Sequence, residues 1–277
     1  MTITEIIKIS RPKFWLYTAG PFLVGYAAAA PSLSVFLNFQ FWIRLIYFLI
    51  PANIYLYGIN DLFDTDTDQF NPKKGTKESR FLRSKSTPLI IALGICTIIT
   101  ICYIQLSISI TEQRLLMIFF LLSTFYSAPP LRFKASPIVD FTSNVLYIIP
   151  GLIGYNIIIG QLPPVWAIIG GWCWSGAMHL YSAIPDINAD TKANLNTSAV
   201  TFGKTNSMII CSVLWMISFI ALAIGTNIVL ALPAITYPAI TIGHLLSPNW
   251  QPAKVYWIFP KLNAAMGCYL FWVAILG

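Results

Sequence analysis

The sequence is poor in charge. Only 10% of its 277 residues are Asp, Glu, Lys or Arg and 57% are hydrophobic, whereas a soluble globular domain is roughly a quarter charged, so the soluble class is excluded. Acid is the scarcer sign, with ten Asp and Glu against 17 Lys and Arg. Histidine is nearly absent: His179 and His244 stand in different apolar runs, and a lone intramembrane histidine reads as a packing or hydrogen-bonding residue rather than a ligand. The five cysteines lie inside apolar runs with no Cys-x-x-Cys or Cys/His spacing, which removes zinc sites and leaves them as small buried hydrophobes. Regular apolar-polar alternation is also missing. Because a bilayer admits only helices or closed barrels, the long unalternating runs must be helices.

Nine such runs centre on residues 14–30, 41–59, 88–106, 114–131, 140–159, 165–184, 206–224, 228–246 and 260–277. The fold class expected is therefore an all-α integral membrane protein with nine transmembrane helices, a single domain over residues 1–277. Segments 60–87 and 185–205 are its cytoplasmic loops. The first run follows a polar start and lacks a cleavage site, so the chain is expected to be unprocessed. With the N-terminus inside, Arg44 and Arg114 fall on one face and the other fifteen of the 17 basic residues on the opposite, cytoplasmic face. That orientation puts the C-terminus outside. It also accounts for the formal charge of +7 through topology, membrane lipid or an anionic substrate, with no need for nucleic acid.

Against this background the acids are unevenly placed. Six of the ten sit in two clusters, Asp61, Asp64, Asp66 and Asp68 in "NDLFDTDTDQF" and Asp186 and Asp190 in "PDINADTK". Both clusters end even-numbered runs and so share the cytoplasmic face. At roughly 100° per residue, Asp61, Asp64 and Asp68 fall within about 60° on a continuing helix while Asp66 points away. Asp186 and Asp190 are one turn apart, and Pro185 suits a first turn. Carboxylates this close repel unless a cation lies between them. Mg²⁺, a hard ion held by one or two carboxylates plus water and phosphate oxygens, suits the pattern. Basic residues stand nearby, Lys73, Lys74, Lys77, Arg80, Arg83 and Lys85 after the first stripe and Lys192 after the second. Topology explains any one residue of that basic loop equally well. A solvated turn would explain a single Asp-x-x-x-Asp, but not two at matching helix ends in a chain with so few other acids. A cation transporter would place its carboxylates near the bilayer midplane and on both sides.

The motifs are specific enough to carry a resemblance. "NDLFDTDTD", "DINAD" and, between them, "YSAPPLRFK" at residues 126–134 resemble the three cytoplasmic helix-end motifs of the UbiA-type intramembrane prenyltransferases, in the same order. "SRPKFWLYTAGPFLVGY", "IPANIYLYGINDLFD" followed by "NPKKG", and "HLYSAIPDINADTKANLNTSAVTFGK" are most similar to the lycopene elongase/hydratase group. The resemblance implies a barrel-like helical bundle around a lipid-accessible cavity. It further implies Mg²⁺ held by Asp61, Asp64, Asp68, Asp186 and Asp190 as catalytic ligands. Asn60, Arg11, Lys73, Lys74, Tyr126, Arg132, Lys134 and Lys192 would lie on a prenyl diphosphate. Asp66 matches no motif position. Tyr57 and Tyr181, close to the acid stripes, are expected to line the pocket and shield an allylic cation.

The implied partners are a prenyl diphosphate, a lipophilic acceptor and membrane lipid. The favoured reaction is dimethylallyl transfer to an acyclic carotenoid such as lycopene. The alternatives are an aromatic or quinone precursor, a chlorophyll-type alcohol or a glycerolipid alcohol. The sequence is silent on oligomeric state, prenyl chain length and the base that would quench the product cation.

Overall fold

The computed structural model describes residues 2–65, 86–247 and 251–276. Within them every regular element is helical: α1 (Ile3–Ile9), α2 (Leu16–Ala29), α3 (Phe39–Leu49), α4 (Pro51–Phe63), α5 (Ser86–Gln105), α6 (Ile110–Phe125), α7 (Val139–Thr142), α8 (Ile149–Ile159), α9 (Val165–Ala183), α10 (Ile187–Lys192), α11 (Ser198–Gly225), α12 (Ile228–Ala231), α13 (Thr236–Leu246), α14 (Pro252–Tyr256) and α15 (Phe259–Leu276). All nine apolar runs are helical.

Six segments among the described residues are long and apolar enough to cross a membrane: Phe39–Phe63, Ser86–Gln105, Val139–Ile159, Ser198–Gly225, Ile228–Leu246 and Pro252–Leu276. The runs at α2 and α6 form helices of 14 and 16 residues, about 21 and 24 Å at 1.5 Å per residue, short of the roughly 30 Å hydrocarbon core. The expected 185–205 loop is largely helical, since it holds α10 and the start of α11.

The chain divides into two compact units. The first comprises Met1–Arg132, Ile149–Leu162 and Gly267–Gly277, and the second Phe133–Ile148 and Pro163–Met266.

In the first unit, α2 and α8 meet backbone to backbone through glycines. A Cβ on Gly25 would lie 2.0 Å from the Gly151 carbonyl oxygen, and one on Gly154 would lie 2.5 Å from that of Phe22. Small residues at such seams replace the hydrophobic drive that lipid removes. The α3–α4 junction breaks at Ile50–Pro51, because proline has no N–H to continue the ladder. The break is repaired by side chains. The Thr18 hydroxyl donates to the Phe48 carbonyl at 2.6 Å, and the Asn53 amide donates to the carbonyls of Phe48 and Leu49 at 2.7 and 3.0 Å. In an apolar medium each such group would otherwise cost several kcal/mol.

Arg44, one of the two basic residues assigned to the outer face, lies buried within α3. Its Nε and Nη2 donate to the two carboxylate oxygens of Glu112 at 2.7 and 3.2 Å, and its guanidinium carbon lies 5.5 Å from the Tyr103 ring centroid. Glu112 also accepts from the Ile108 amide at 2.9 Å, and the N-cap Ser109 receives its backbone N–H at 3.0 Å.

The second unit is built on α9 and α11, packed with α13 around an aromatic core of Tyr181, Trp215, Tyr237 and Phe259. Two of its buried tyrosine hydroxyls are paired: Tyr237 donates to Asn263 at 2.7 Å, and Tyr181 and His244 Nε2 lie 2.6 Å apart. His244 thus has the hydrogen-bonding role expected of it. The cysteines are free thiols. Cys96 and Cys211 are buried, but Cys102 and Cys268 are exposed, which corrects the expectation of five buried residues. A thiol is apolar enough for a lipid-facing surface, so its burial is not required.

Two outcomes test this packing. Gly25→Ala should lower the melting temperature of the detergent-solubilised protein, by the several degrees that about 1–3 kcal/mol of overpacking implies. Gly94→Ala, where an added Cβ meets nothing within 4 Å, should be neutral or mildly stabilising. Arg44→Met alone should cost about 3–5 kcal/mol, and combining it with Glu112→Leu should recover most of that loss. Both effects are read by thermal unfolding monitored with size-exclusion chromatography.

Candidate active site

The first acid motif closes α4. Its Asp- and Thr-rich continuation favours local side-chain bonds over helix, and the helix stops at Phe63, with Asp64 as C-cap (φ −104°, ψ 6°) donating its N–H to the Asn60 carbonyl at 2.9 Å. Of the stripe Asp61, Asp64 and Asp68, the described residues include the first two. Asp68, Lys73 and Lys74 lie outside the described residues, as do Asp66 and the rest of the basic loop.

Within the helix, Asp61 is 3% exposed and Arg11 Nη2 donates to its Oδ1 at 2.9 Å. Arg11 reaches it from a left-handed backbone position (φ 50°, ψ 71°) between α1 and the 3₁₀ turn Pro12–Phe14. Its guanidinium carbon also lies 4.8 Å from the ring centroid of buried Tyr57, one turn before Asp61. Arg11 thus brings one positive charge to Oδ1 of Asp61. Tyr57 serves as the aromatic face under that cation, with Phe14 at 6.1 Å on its other contacts.

A residue missed in the sequence joins this group. Ser127, 0% exposed, places its hydroxyl 3.1 Å from Asp64 Oδ2 and 3.2 Å from Asn60 Oδ1. It follows Tyr126, the C-cap of α6. Its signal was a small hydroxyl residue inside "YSAPP", next to the tyrosine that the motif did single out. Arg132 ends the same segment in a left-handed conformation (φ 41°), its N–H bonded to the Ala128 carbonyl at 3.1 Å.

The second motif lies in the other unit. After α9, the 3₁₀ turn Ile184–Asp186 holds Pro185 in its first turn and hands over to α10 with Asp186 as N-cap, so Asp186 and Asp190 keep the one-turn spacing expected. Both are half-buried. Asp190 Oδ2 is 3.4 Å from the Thr197 hydroxyl, and its carbonyl accepts the Leu195 N–H at 2.9 Å. Lys192 is exposed at the end of α10, while Tyr181 sits one turn before Asp186 in the aromatic core described above.

Lys134 is buried in the 3₁₀ turn Phe133–Ala135. The segment just after it is tethered by a second missed residue, an acid. Asp140, 1% exposed, accepts from the Ser198 amide at 2.7 Å, from the Ser198 hydroxyl and from the Phe141 amide at 2.8 Å. The same Ser198 hydroxyl accepts the Ile138 amide at 2.6 Å. A carboxylate inside an apolar run is the sequence signal that would have found it.

Among the described residues no three His, Cys, Asp or Glu side chains form a metal-binding group. The donor chemistry nevertheless suits magnesium. Asn60 and Asp64 bring one amide and one carboxylate oxygen to a common hydroxyl, and hard oxygens in small number are what an ion retaining water and phosphate ligands requires.

An all-helical chain with apolar spans and acid motifs at its helix ends has the make-up of an intramembrane enzyme. A profile of the UbiA prenyltransferase family matches residues 18–272. The lycopene elongase/hydratase of Halobacterium salinarum is 38% identical over 262 residues, 95% of this chain and 94% of the relative. That of Haloferax volcanii is 36% identical over 265 residues, 96% and 86% respectively. A solved UbiA homolog from Archaeoglobus fulgidus, bound to DMAPP and Mg²⁺, has the same fold with a TM-score of 0.74 at 22% identity, covering 98% of each chain. The chain belongs to the UbiA prenyltransferase family, and as an enzyme it is lycopene elongase-like.

Removing the hydroxyl that joins Asn60 and Asp64 tests the first half of the site. Ser127→Ala should lower kcat/KM for the prenyl donor about 10-fold and raise the magnesium concentration needed for half-maximal rate. Ser127→Thr, which keeps the hydroxyl, should lose much less. Unchanged magnesium dependence in Ser127→Ala would show that the contact is incidental.

Proposed function

We propose that this protein transfers a prenyl group, dimethylallyl in the first instance, from its diphosphate to the terminal double bond of an acyclic carotenoid such as lycopene, with Mg²⁺ required. The observation that carries the reading is the end of α4, where Asn60, Asp61 and Asp64 present hard oxygens beside the Arg11 guanidinium. The relatives in Halobacterium salinarum and Haloferax volcanii support the acceptor, and the DMAPP and Mg²⁺ of the Archaeoglobus homolog support the donor and the metal.

Asp61, Asp64, Asp68, Asp186 and Asp190 would hold the metal. Bound magnesium supplies neutralisation of the charge that develops on departing pyrophosphate. Arg11, Lys73, Lys74, Tyr126, Arg132, Lys134 and Lys192, with Asn60, bind the diphosphate and keep it oriented for in-line departure. The allylic C–O bond breaks and leaves its electron pair on pyrophosphate. The acceptor double bond supplies the pair for the new C–C bond, and the resulting tertiary cation loses a proton or takes up water. Tyr57, whose ring also meets the Arg11 guanidinium, and Tyr181 would each contribute roughly 0.5–2 kcal/mol to an allylic cation that came within reach.

The same reading places nine membrane crossings in a barrel-like bundle around a lipid-accessible cavity. The N-terminus and both acid motifs face the cytoplasm and the C-terminus lies outside, supported by the distribution of Lys and Arg.

The test is a purified preparation offered dimethylallyl and geranylgeranyl diphosphate with lycopene, aromatic and alcohol acceptors. We expect one five-carbon addition to lycopene, abolished by chelation and restored by Mg²⁺. Asp64→Asn and Asp186→Asn should each reduce turnover at least about 10³-fold while the protein stays folded and membrane-inserted. Transfer to an aromatic ring instead would overturn the acceptor. Turnover that survives chelation would overturn the metal.

A further inference from the structure

The helix that follows the second acid motif is broken near its start. Gly203 has φ 72° and ψ 172°, a region essentially reserved for glycine, and it divides α11 into residues 198–202 and 204–225. Its ψ is that of an N-cap: Thr2, Ser109, Thr197 and Asn227, which cap other helices, have ψ of 160°, 152°, 163° and 167°. Each of those four offers a side-chain oxygen to a backbone N–H of its first turn. Gly203 has no side chain with which to cap the turn that follows it.

A second observation points into the same place. In α11 the hydroxyls of Thr201, Ser212 and Thr226 donate to the carbonyls four residues back. For Ser207 the residue four back is Gly203, and its hydroxyl, in a side chain 0% exposed, has no hydrogen-bond partner among the described residues. Helical side chains tilt toward the N-terminus, which aims this hydroxyl at the break. At Gly203 itself the space is open, since a Cβ built there meets nothing within 4 Å. Lys204, next in the chain, is exposed. Glycine, lysine and a hydroxyl residue opening a helix are the means by which backbone amides and an ammonium group receive phosphate oxygens.

The register sets this break beside the second acid motif. A Cβ on Gly170 would face Ala221 and Ser218, while the Cys211 thiol donates to the Ala177 carbonyl at 3.4 Å, so α9 and α11 run in opposite directions. One turn from the Cys211 contact pairs Ser207 with Tyr181, and a further turn brings Gly203 level with Pro185 and Asp186. Contact between α11 and the Ile184–Asp186 turn agrees with that register.

We propose that the Gly203 break is a phosphoryl subsite, in which the Ser207 hydroxyl, the first-turn amides and Lys204 receive an oxygen of the donor's diphosphate. This rests on the donor reading above and adds residues to it that no acid or Arg/Lys motif singles out.

The experiment titrates the full-length protein with inorganic pyrophosphate and Mg²⁺ by calorimetry, in phospholipid-free detergent and in nanodiscs of anionic lipid. Steady-state kinetics accompany it. Ser207→Ala and Lys204→Gln should each weaken pyrophosphate binding about 10-fold in detergent, and raise KM for dimethylallyl diphosphate far more than they lower kcat. Lys204→Arg should keep most of the affinity. Because Lys204 is exposed, its variants decide the matter if Ser207→Ala fails to fold. Unchanged pyrophosphate affinity in both variants would overturn the subsite. So would an effect confined to anionic nanodiscs, which would assign the break to a lipid headgroup. A wild-type protein that neither binds pyrophosphate nor transfers a prenyl group would sink the donor reading instead, a result distinguishable from variants that match an active wild type.

Discussion

The first half of the site depends on one ion pair. Asp61 is a carboxylate withdrawn from water at the end of a helix in an apolar chain, a placement that costs several kcal/mol without a partner. Arg11 supplies that partner, and Tyr57 supplies the face on which the guanidinium rests. The arrangement explains why a left-handed residue is tolerated at position 11: the backbone must turn there for the side chain to reach a carboxylate 50 residues away in sequence. It also explains why Asp61 differs from Asp64. The former meets the Arg11 guanidinium, while the latter meets the Ser127 hydroxyl.

The rest of the first unit follows from the same rule, applied to the backbone. Where Pro51 interrupts the ladder, Thr18 and Asn53 take up the carbonyls of Phe48 and Leu49. Where α2 and α8 approach too closely for side chains, glycine removes them. The second unit obeys it through Asp140, whose oxygens gather the amides of Phe141 and Ser198. That contact ties the start of α11 to the strand of chain that carries Lys134. In each case a polar group that lipid cannot solvate is answered by a side chain from a distant part of the sequence.

That distance sets what could be read from the sequence. The helical class, the nine apolar runs and the location of both acid motifs were legible, because hydropathy and local spacing are properties of contiguous residues. The end of α4 at Phe63 was not, because a regular 3.6-residue period cannot show where capping overtakes helix. Ser127 and Asp140 escaped for another reason. One hydroxyl and one acid are each a faint local signal, and their meaning appears only when Asn60, Asp64 and Ser198 are brought to them. Arg44 was legible as a charge but not as a pair, since Glu112 lies 68 residues further on.

That last separation bears on how the protein is made. Arg44 emerges from the ribosome well before its carboxylate partner, and an unpaired charge at membrane depth is costly. The pair can close, and Arg44 reach its final burial, only once the chain has been synthesised past Glu112.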